Sequence, residues 1–453
     1  MNQKNIRIGI IPVKRDYTDV NAAAETRDLM LETIIKLKNE TTDFIHISEA
    51  ASNGILYEVD EIQKVADFLK EQKIDALFFL HCDFGCEEVI GRLAKQFSIP
   101  VLLWGPRDFP TESKPMGREV QCGIFASSRI LKRYDVPFTY IVNSEVNSKT
   151  FSDGFARFQK VVSVVKAYKN MRILQVGNRP KPFFSVMANE SELLKKFGIE
   201  IVPISDTKII DSVLQCVEEE QDAIQSEIEK VKSRIDTVLL KDEFLERVTA
   251  LKLVLLRLVE KHQISAVSLD CWGLRKLGCN ACFTVGELTD LGVPVACETD
   301  TLGSITSVLL QAAMGNQKAT FFADLTIRHP ENDNAELLWH CGPFPYSLKH
   351  AGSSAALSKT ATGQWQLQDG PITLLRMGED GGEYKLFVGE GHSTEGPKVA
   401  GTYVWIEVDD WEKWEEKLVY GPYIHHVSGI FAHCKDVFIE AAKYIKGIQL
   451  DPA

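Results

Sequence analysis

Residues 76–105, ALFFLHCDFGCEEVIGRLAKQFSIPVLLWG, decide the fold class. The stretch begins with an apolar run of strand length, continues with the amphipathic run CEEVIGRLAKQF, and ends with the second apolar run VLLWG. Continuous runs of Val, Ile, Leu and Phe that are each followed by a helix are typical of parallel strands buried on both faces. The stretch therefore predicts a βα unit of a parallel sheet.

The sequence on either side repeats this alternation and predicts a first α/β domain over residues 1–170. Its further strand-like and helical runs lie at 7–13, 21–38, 43–48, 59–72, 138–143 and 150–169. The alternation restarts at MRILQVG (171–177) and predicts a second α/β domain over 171–317, with strand-like runs at 199–205, 266–272 and 293–297. A long charged stretch within it has helical periodicity, and we expect two helices that break near Leu239–Asp242.

After Gly315 the pattern changes to short strands, such as ITLLRMG and YKLFVGEG, that are separated by Gly, Asn and Asp. This composition indicates an antiparallel, barrel-like β-rich domain over 318–453, and a final helix is predicted near 434–448. The predicted fold is two parallel-sheet (Rossmann-like) α/β domains followed by a C-terminal antiparallel β-rich domain.

Composition excludes several classes of protein. The 453 residues include 63 acidic and 51 basic ones, so the net charge is −12, and the basic residues are scattered. A nucleic-acid ligand is not expected without a concentrated basic field. No apolar stretch reaches the eighteen residues that span a bilayer, and no signal peptide is recognisable. The ten cysteines lie apart, several in strand-like runs, which favours reduced thiols and a cytoplasmic protein.

Polar residues follow two strands of the second predicted sheet, at Asp270–Trp272 and at Cys297–Asp300. Ligands of open parallel sheets bind beyond the carboxyl ends of the strands. Glu298 is a candidate there, although a carboxylate at a helix start is also favoured by the helix dipole alone. No glycine-rich fingerprint of a nucleotide site is present, so no nucleotide cofactor is predicted.

Three more polar residues interrupt apolar strands of the β-rich region. Asp324 lies in FFADLTIRH, His340 in LLWHCG and His426 in YIHHVSG. Each histidine could be an ordinary hydrogen-bonded core residue. Together with Glu298, however, they form an oxygen and nitrogen ligand set that suits Mn²⁺, Mg²⁺, Co²⁺ or Fe²⁺. His425 competes with His426, and only one should bind because neighbours on a strand point to opposite faces.

The stretch GCNACFTVGELTDLGVPVACETDTLGSITSVLLQAAMG (278–315), with the later motifs FADLT, WHCG and HHV, resembles the catalytic region of the L-fucose/L-arabinose isomerase family. The resemblance implies that Glu298, Asp324 and His426 hold Mn²⁺, and that His340 matches an additional histidine of arabinose isomerases. It also implies a homo-oligomer, a trimer or hexamer, in which the first domain of one subunit helps to close the site of another.

The resemblance further implies a metal-dependent aldose–ketose isomerase that acts on an open-chain, fucose- or arabinose-like sugar through an enediol. The metal would polarise the carbonyl, and Glu298 and Asp324 would carry the proton. Two alternatives stay open. One is a non-catalytic sugar-binding protein of the same fold, and the other is a related metal-assisted reaction such as aldol cleavage or epimerisation.

Several other residues are candidates for binding the sugar. Trp272 could stack on its carbon chain, and Asp83, Trp104 and Arg107, at strand ends of the first domain, could bind its hydroxyls or form ordinary turns. The loop Gly177–Pro180 could hold an anionic or polyol ligand. Two thiols with CxxC spacing, in the motif CNAC, lack the second pair that a zinc site needs, so a structural role is expected.

Overall fold

The computed structural model describes residues 5–110, 112, 116–169 and 171–453, which form two compact units. The first unit contains the described residues up to 166 together with 439–446, and the second contains those of 167–438 together with 447–453. The boundary predicted near residue 170 lies close to this division. The boundary predicted at 317 lies inside the second unit, so the division into three domains stays a prediction.

The described chain up to residue 168 alternates between strands and helices. They are β1 (Ile6–Val13), α1 (Val20–Lys36), β2 (Thr42–His46), α2 (Ile62–Glu71), β3 (Ala76–His81), α3 (Glu87–Ala94), β4 (Val101–Trp104), α4 (Val120–Arg133), β5 (Thr139–Tyr140) and α5 (Lys149–Tyr168). The strands form one parallel sheet in the order β2-β1-β3-β4-β5. The predicted strand at 138–143 is reduced to the two residues of β5.

Strand β3 shows why this sheet forms. All six of its residues are buried, and successive side chains enter different hydrophobic clusters, Leu77 and Phe79 in one and Phe78 and Leu80 in the other. Burying a side chain of this size contributes about 1.5–3 kcal/mol, so a strand covered on both faces is strongly held. The prediction of parallel strands buried on both faces is confirmed.

The next part of the chain builds a second parallel sheet, with the strand order β7-β6-β8-β9. Its elements are β6 (Arg172–Val176), α6 (Glu190–Phe197), β7 (Glu200–Ile204), α7 (Asp206–Glu219), α8 (Gln221–Lys232), α9 (Asp242–His262), β8 (Ala266–Leu269), α10 (Cys282–Asp290), β9 (Val295–Ala296) and α11 (Thr301–Ala312).

The charged stretch between β7 and β8 forms three helices rather than the two predicted. The break expected near Leu239–Asp242 is present, because α8 ends at Lys232 and α9 begins at Asp242. A second break occurs at Glu220, whose φ of −125° leaves the helical region. The carboxylate of Glu220 accepts two hydrogen bonds from Arg257 of α9, a contact that the local sequence does not reveal.

The remainder of the second unit is β-rich, as predicted. The elements from residue 321 onward are β10 (Phe321–Arg328), β11 (Ala335–His340), β12 (Ala356–Leu357), β13 (Gly363–Gln366), β14 (Pro371–Asp380), β15 (Glu383–Thr394), β16 (Thr402–Glu407), α12 (Trp411–Tyr420), β17 (His426–Ile430), α13 (Lys435–Ala441) and β18 (Ile448–Pro452). Six strands close into an antiparallel barrel in the order β16-β11-β10-β17-β14-β15, because β15 also pairs with β16. The predicted fold class is confirmed.

The end of the chain differs from the prediction of a helix near 434–448. Helix α13 ends at Ala441, and Gly447, with a φ of 87°, turns the chain into β18, which pairs in parallel with β15. One hydrophobic cluster contains β8 residues such as Val267 and barrel residues such as Leu374, so the second sheet and the barrel share a core. No helix in the described ranges has an apolar stretch long enough to cross a bilayer.

Candidate functional site

The four predicted ligands come together within the second unit, where the second sheet meets the barrel. Glu298 lies two residues after the end of β9, Asp324 lies within β10, His340 is the last residue of β11, and His426 is the first residue of β17. Asp324 and His426 are direct partners in the antiparallel register of β10 and β17. Directly opposed residues of such a pair have adjacent side chains, which explains how residues about 100 positions apart meet.

The turn that presents Glu298 has an unusual backbone. Glu298 and Thr299 have φ angles of 52° and 58°, in the left-handed region that is disfavoured for residues other than glycine and most of all for β-branched ones. The Thr299 N–H donates to the carbonyl of Leu269 at 3.1 Å, and its hydroxyl donates to the carbonyl of Asn178 at 3.2 Å. Strain of this kind costs about 1–3 kcal/mol per residue and is concentrated at functional sites.

The side-chain atoms of the site converge on one volume. His426 Nε2 lies 3.9 Å from Glu298 Oε2 and 3.5 Å from Asp324 Oδ1, and His340 Nε2 lies 3.8 Å from Glu298 Oε2. The two carboxylate oxygens are less than 8 Å apart, because both lie within 4 Å of the same nitrogen. Glu298 Oε2, Asp324 Oδ1 and His340 Nε2 are buried and have no hydrogen-bond partner among the described residues. Such atoms are costly to bury, so they indicate a ligand.

The donor set fits a divalent cation. Two ligand atoms that are each about 2.1 Å from one ion lie about 3.0–4.2 Å apart, depending on the angle between them. The distances from His426 Nε2 to the Asp324 and Glu298 carboxylates, 3.5 and 3.9 Å, fall in this range. Carboxylate and imidazole ligands suit Mn²⁺, Mg²⁺ and Fe²⁺, and no thiolate is needed.

Asp300 orients His426 for such a role. His426 Nδ1 lies 2.9 Å from Asp300 Oδ2, so the Nδ1–H donates to the carboxylate and the lone pair of Nε2 faces the site. Asp300 also accepts from the buried Arg376 guanidinium and from the Gly303 N–H at the start of α11. Burial alone would raise the pKa of Asp300, but Arg376 and His426 outweigh that effect and hold it well below its usual range.

Comparison with known proteins agrees with the resemblance that predicted these site residues. Residues 9–169 match the family model described as the N-terminal domain of fucose/sulfoquinovose isomerase. The sulfoquinovose isomerases of Priestia aryabhattai and Priestia megaterium are each 24% identical over 414 residues, which cover 89% of this chain and 90% of the relative. That of Alkalicoccus urumqiensis is 23% identical over 332 residues, covering 72% of this chain and 73% of that protein.

The resemblance to the fucose isomerase family is confirmed. The chain is therefore an enzyme, a sugar isomerase, as predicted. The predicted fucose- or arabinose-like substrate is not confirmed, because the relatives are named for a different sugar.

His340 differs from His426 in its hydrogen bonding. The backbone N–H of Cys341 donates to His340 Nδ1 at 2.9 Å, an arrangement that puts the ring proton on Nε2. That N–H faces Glu298 Oε2. The Nε2 atom of His340 thus carries a proton toward Glu298, whereas the Nε2 atom of His426 presents a lone pair.

The expectation that His425 and His426 point to opposite faces does not describe this site. Strand β17 begins only at His426, so His425 precedes the strand and the alternation rule does not apply to it. The two rings have centroids 4.3 Å apart, and donor atoms of Asp324, His425 and His426 lie within 4.8 Å of one another. His425 is exposed, and His426 is the buried one that Asp300 orients.

Glu298 is the most buried carboxylate of the proposed ligands. Burial raises the pKa of the Glu298 carboxyl above its ordinary value, and the His340 and His426 rings offset only part of this rise. The Cys271 thiol donates to Glu298 Oε1 at 3.4 Å, which leaves Oε2 directed at the histidines. A carboxylate in such surroundings suits proton transfer.

Trp272 lies on one wall of the site. Its ring packs edge-on against Phe183 at 5.4 Å, and Phe183 lies 6.3 Å from the His426 ring. Trp272 is 40% exposed, so part of its indole ring is open to solvent. Arg275 lies over the same indole ring at 5.4 Å.

The three candidates of the first sheet lie in the first unit and differ in exposure. Asp83 is buried and accepts from the N–H groups of Arg15 and Gly85. Trp104 is fully buried and stacks on Phe151 at 3.9 Å, so its ring is part of the core and not of the chain's surface. Arg107 alone of the three is exposed.

Asp300 and Arg376 were missed at the level of sequence. Asp300 has the appearance of a helix cap, and it is one, because its side chain accepts from the first turn of α11. Arg376 carried a usable signal, since a charged residue inside ITLLRMG is as anomalous as Asp324 inside FFADLTIRH. Their pairing spans 76 residues and no local pattern indicates it.

Proposed function

We propose that this isomerase is a divalent-metal-dependent aldose–ketose isomerase that converts an open-chain, sulfonated sugar through an enediol. The observation that carries the proposal is a group of buried atoms without hydrogen-bond partners among the described residues. Glu298 Oε2 and Asp324 Oδ1 both lie within 4 Å of His426 Nε2, and His340 Nε2 lies 3.8 Å from the same Glu298 oxygen. A site that only binds neutral hydroxyls has no need to bury two carboxylates side by side, because their repulsion is costly unless a cation offsets it.

In this proposal Glu298, Asp324 and His426 bind the cation, for which Mn²⁺ is our first choice. When bound, a divalent cation supplies Lewis acidity toward the sugar carbonyl and the adjacent hydroxyl. One of the two carboxylates removes the proton from the carbon next to the carbonyl, and a carboxylic acid then returns a proton to the neighbouring carbon. A positioned acid or base contributes about 10²–10⁴-fold to such a step. The Nε2–H of His340 donates to a sugar oxygen and holds it in place.

The sulfonate is proposed from the names of the relatives and from the charges at the rim of the site. Arg179 and Lys181 lie on the loop after β6, and Arg275 lies after β8, at the edge of the sheet that also carries Glu298. The Arg179 guanidinium donates to the Phe183 carbonyl at 2.9 Å, which connects this loop to the ring beside His426. In a chain of net charge −12, such a group of cations favours an anionic substrate.

These cations are available to a ligand. Arg179 donates to backbone carbonyls of its own loop, and Arg275 donates to the Asn280 amide oxygen at 3.2 Å. No described carboxylate lies within ion-pair distance of either side chain. Lys276, the neighbour of Arg275, provides a contrast because it is paired with Asp206 at 2.9 Å.

The decisive experiment is a turnover assay of metal-stripped enzyme with and without Mn²⁺, using sulfoquinovose and its matched unsulfonated sugar, quinovose. We expect aldose–ketose interconversion, detected by NMR, only with metal, and a kcat/KM for sulfoquinovose about 10²-fold higher, which corresponds to two ion pairs of about 1.4 kcal/mol each. Binding without turnover would favour the non-catalytic alternative. Cleaved or epimerised products would favour the other alternative.

Two variants test the sulfonate contact. Arg275→Gln should lower kcat/KM for sulfoquinovose about tenfold and leave that for quinovose unchanged, since about 1.4 kcal/mol of ion-pair energy is lost. Lys276→Gln is the matched control, because its charge is already paired, and it should change neither value. Equal losses of kcat/KM with both sugars would show that Arg275 supports the site without binding the sulfonate.

We also propose, from the family resemblance, that the isomerase is a homo-oligomer in which Arg107 of one subunit reaches the site of another. An obligate assembly buries on the order of 2,000 Å² or more, so activity should be lost on dilution to monomer. A fully active monomer would contradict this. A cytoplasmic location is proposed because the ten cysteines lie apart in the sequence, several of them in strand-like runs.

A further inference from the structure

Two thiols that the proposed reaction does not use lie in contact beside the site. The Sγ atoms of Cys282, the first residue of α10, and Cys341, which follows β11, are 3.3 Å apart. Cys341 Sγ is also 3.4 Å from His340 Nδ1. The partner of Cys282 is therefore not Cys279, its neighbour in the CxxC motif, whose thiol instead donates to the Leu277 carbonyl.

We propose that Cys282 and Cys341 form a reversible disulfide when the enzyme meets a peroxide, and that this bond suppresses isomerase activity through His340. The bond itself does not depend on the proposed function, whereas its effect on sugar turnover does. The site of modification is thus a specific cysteine pair within the second unit, and the co-reactant is a hydroperoxide.

The reaction balances without any further reagent. The two S–H bonds and the O–O bond of hydrogen peroxide break, one S–S bond and two O–H bonds form, and two waters leave. The sulfurs are oxidised and the peroxide oxygens are reduced. The contact distance of 3.3 Å must shorten to about 2.05 Å for the bond to form. Cys341 is partly exposed, which gives a small peroxide access to the pair.

Cys341 contacts the His340 ring of the site through two of its atoms, the backbone nitrogen and Sγ. The N–H of Cys341 donates to His340 Nδ1, and this hydrogen bond places the proton on Nε2, opposite Glu298. Drawing Cys341 toward Cys282 pulls on the residue that holds the His340 ring. A displacement of about 1 Å in a positioned group can cost about 10²-fold in rate, so a measurable loss of turnover is expected.

Peptide mapping of the full-length enzyme tests the bond directly. Wild-type protein is treated with hydrogen peroxide, free thiols are alkylated, and trypsin plus Glu-C digestion is followed by mass spectrometry. Cleavage after Lys276 and Glu287 leaves Cys279 and Cys282 on one peptide, apart from Cys297. The Cys279→Ser variant removes the remaining ambiguity, and it should still give a cross-linked peptide that contains Cys341 and lacks two hydrogens.

Activity is measured in parallel and each protein is normalised to its own untreated rate. Wild type and Cys279→Ser should lose at least about tenfold and recover with dithiothreitol, whereas Cys282→Ser should retain its rate. Cys122→Ser controls for an exposed thiol and should behave as wild type. Peroxide that leaves Cys282 and Cys341 as thiols, links Cys271 to Cys297, or overoxidises Cys341 alone would overturn the proposal. A cross-link without loss of turnover would overturn only the effect on activity.

Discussion

The two parallel sheets have similar architecture and opposite chemistry at their carboxyl edges. In the first sheet, Asp83 follows β3 and its carboxylate accepts from Arg15, Thr18 and Gly85. In the second sheet, Glu298 follows β9 and its Oε2 atom has no hydrogen-bond partner among the described residues. Both carboxylates are buried, so burial alone does not distinguish them.

The two carboxylates differ in whether nearby residues of the chain supply hydrogen-bond donors to them. Asp83 is surrounded by N–H and O–H donors from its own turn and the turn after β1, so its charge stabilises the fold. Glu298 faces His340, His426 and Asp324, which bring a second carboxylate and two rings rather than backbone donors. His81, beside Asp83, has one nitrogen without a hydrogen-bond partner in the described part of the chain, but burial lowers its pKa to about 4 and the ring stays neutral. Convergence of unpartnered atoms therefore identifies the site better than position at a strand end.

The largest effect is expected for Glu298→Gln. The amide preserves the shape of the side chain but cannot accept a proton and is a poor ligand for a hard cation. The variant should lose at least about 10³-fold in kcat, the range of one acid–base group, with an unchanged melting temperature. Turnover and thermal unfolding are measured on the same preparation. Activity within about tenfold of wild type would remove Glu298 from the mechanism and would make the two sheet edges equivalent.

A smaller effect is expected for Asp300→Asn, which acts through His426. The neutral amide can accept from the Nδ1–H only weakly, so Mn²⁺ affinity should fall about 10–100-fold, and excess Mn²⁺ should restore most of the rate. Metal affinity is measured by titration of stripped protein. The buried Arg376 would be left without its counter-charge, so Asp300→Asn/Arg376→Met is the matched control for stability. A loss of rate that Mn²⁺ does not restore would contradict the role of Asp300.

Much of the difference between the two sheet edges could be predicted from the sequence, but not all of it. Asp324, His340 and His426 could be found because each interrupts an apolar strand, and the parallel and antiparallel regions were distinguishable by their patterns. The partner of each group could not be found, since Asp300, Arg376 and His426 meet through contacts that span 76 and 126 residues. Long-range contacts also explain two wrong predictions. The ring of Trp104 is buried against Phe151 and is not open to a sugar, and the predicted final helix ends early and is followed by strand β18, which pairs with β15.

Asp83→Ala tests the first sheet and should have the opposite profile from Glu298→Gln. Three donors lose a charged acceptor, so we expect about 2–4 kcal/mol less free energy of unfolding. The kcat per folded enzyme should stay unchanged. Chemical denaturation measures the stability, and turnover is measured well below the unfolding midpoint. Lost kcat with full stability would instead place Asp83 in the site of a neighbouring subunit.

The smallest effect concerns Glu336, which shares strand β11 with His340. Burial raises the pKa of Glu336 to about 7, although Arg328 opposes the rise. The folded protein therefore holds a proton that the unfolded chain releases between pH about 4.5 and 7, and the free energy of unfolding decreases as pH rises through this window. Glu336→Gln removes this dependence and should be more stable than wild type above pH 7 by about 1–3 kcal/mol.

The gap between Glu336→Gln and wild type should close below pH 4.5, and sugar turnover should not change. Urea denaturation at pH 5, 6, 7 and 8 measures the gap. Glu416→Gln, on the exposed surface of α12, is the control and should show no such trend, because exposed carboxylates contribute little. A gap of equal size at every pH would mean that the buried carboxylate is ionised and has found a partner. Glu336 would then resemble Asp83, whose buried carboxylate is held by hydrogen-bond donors.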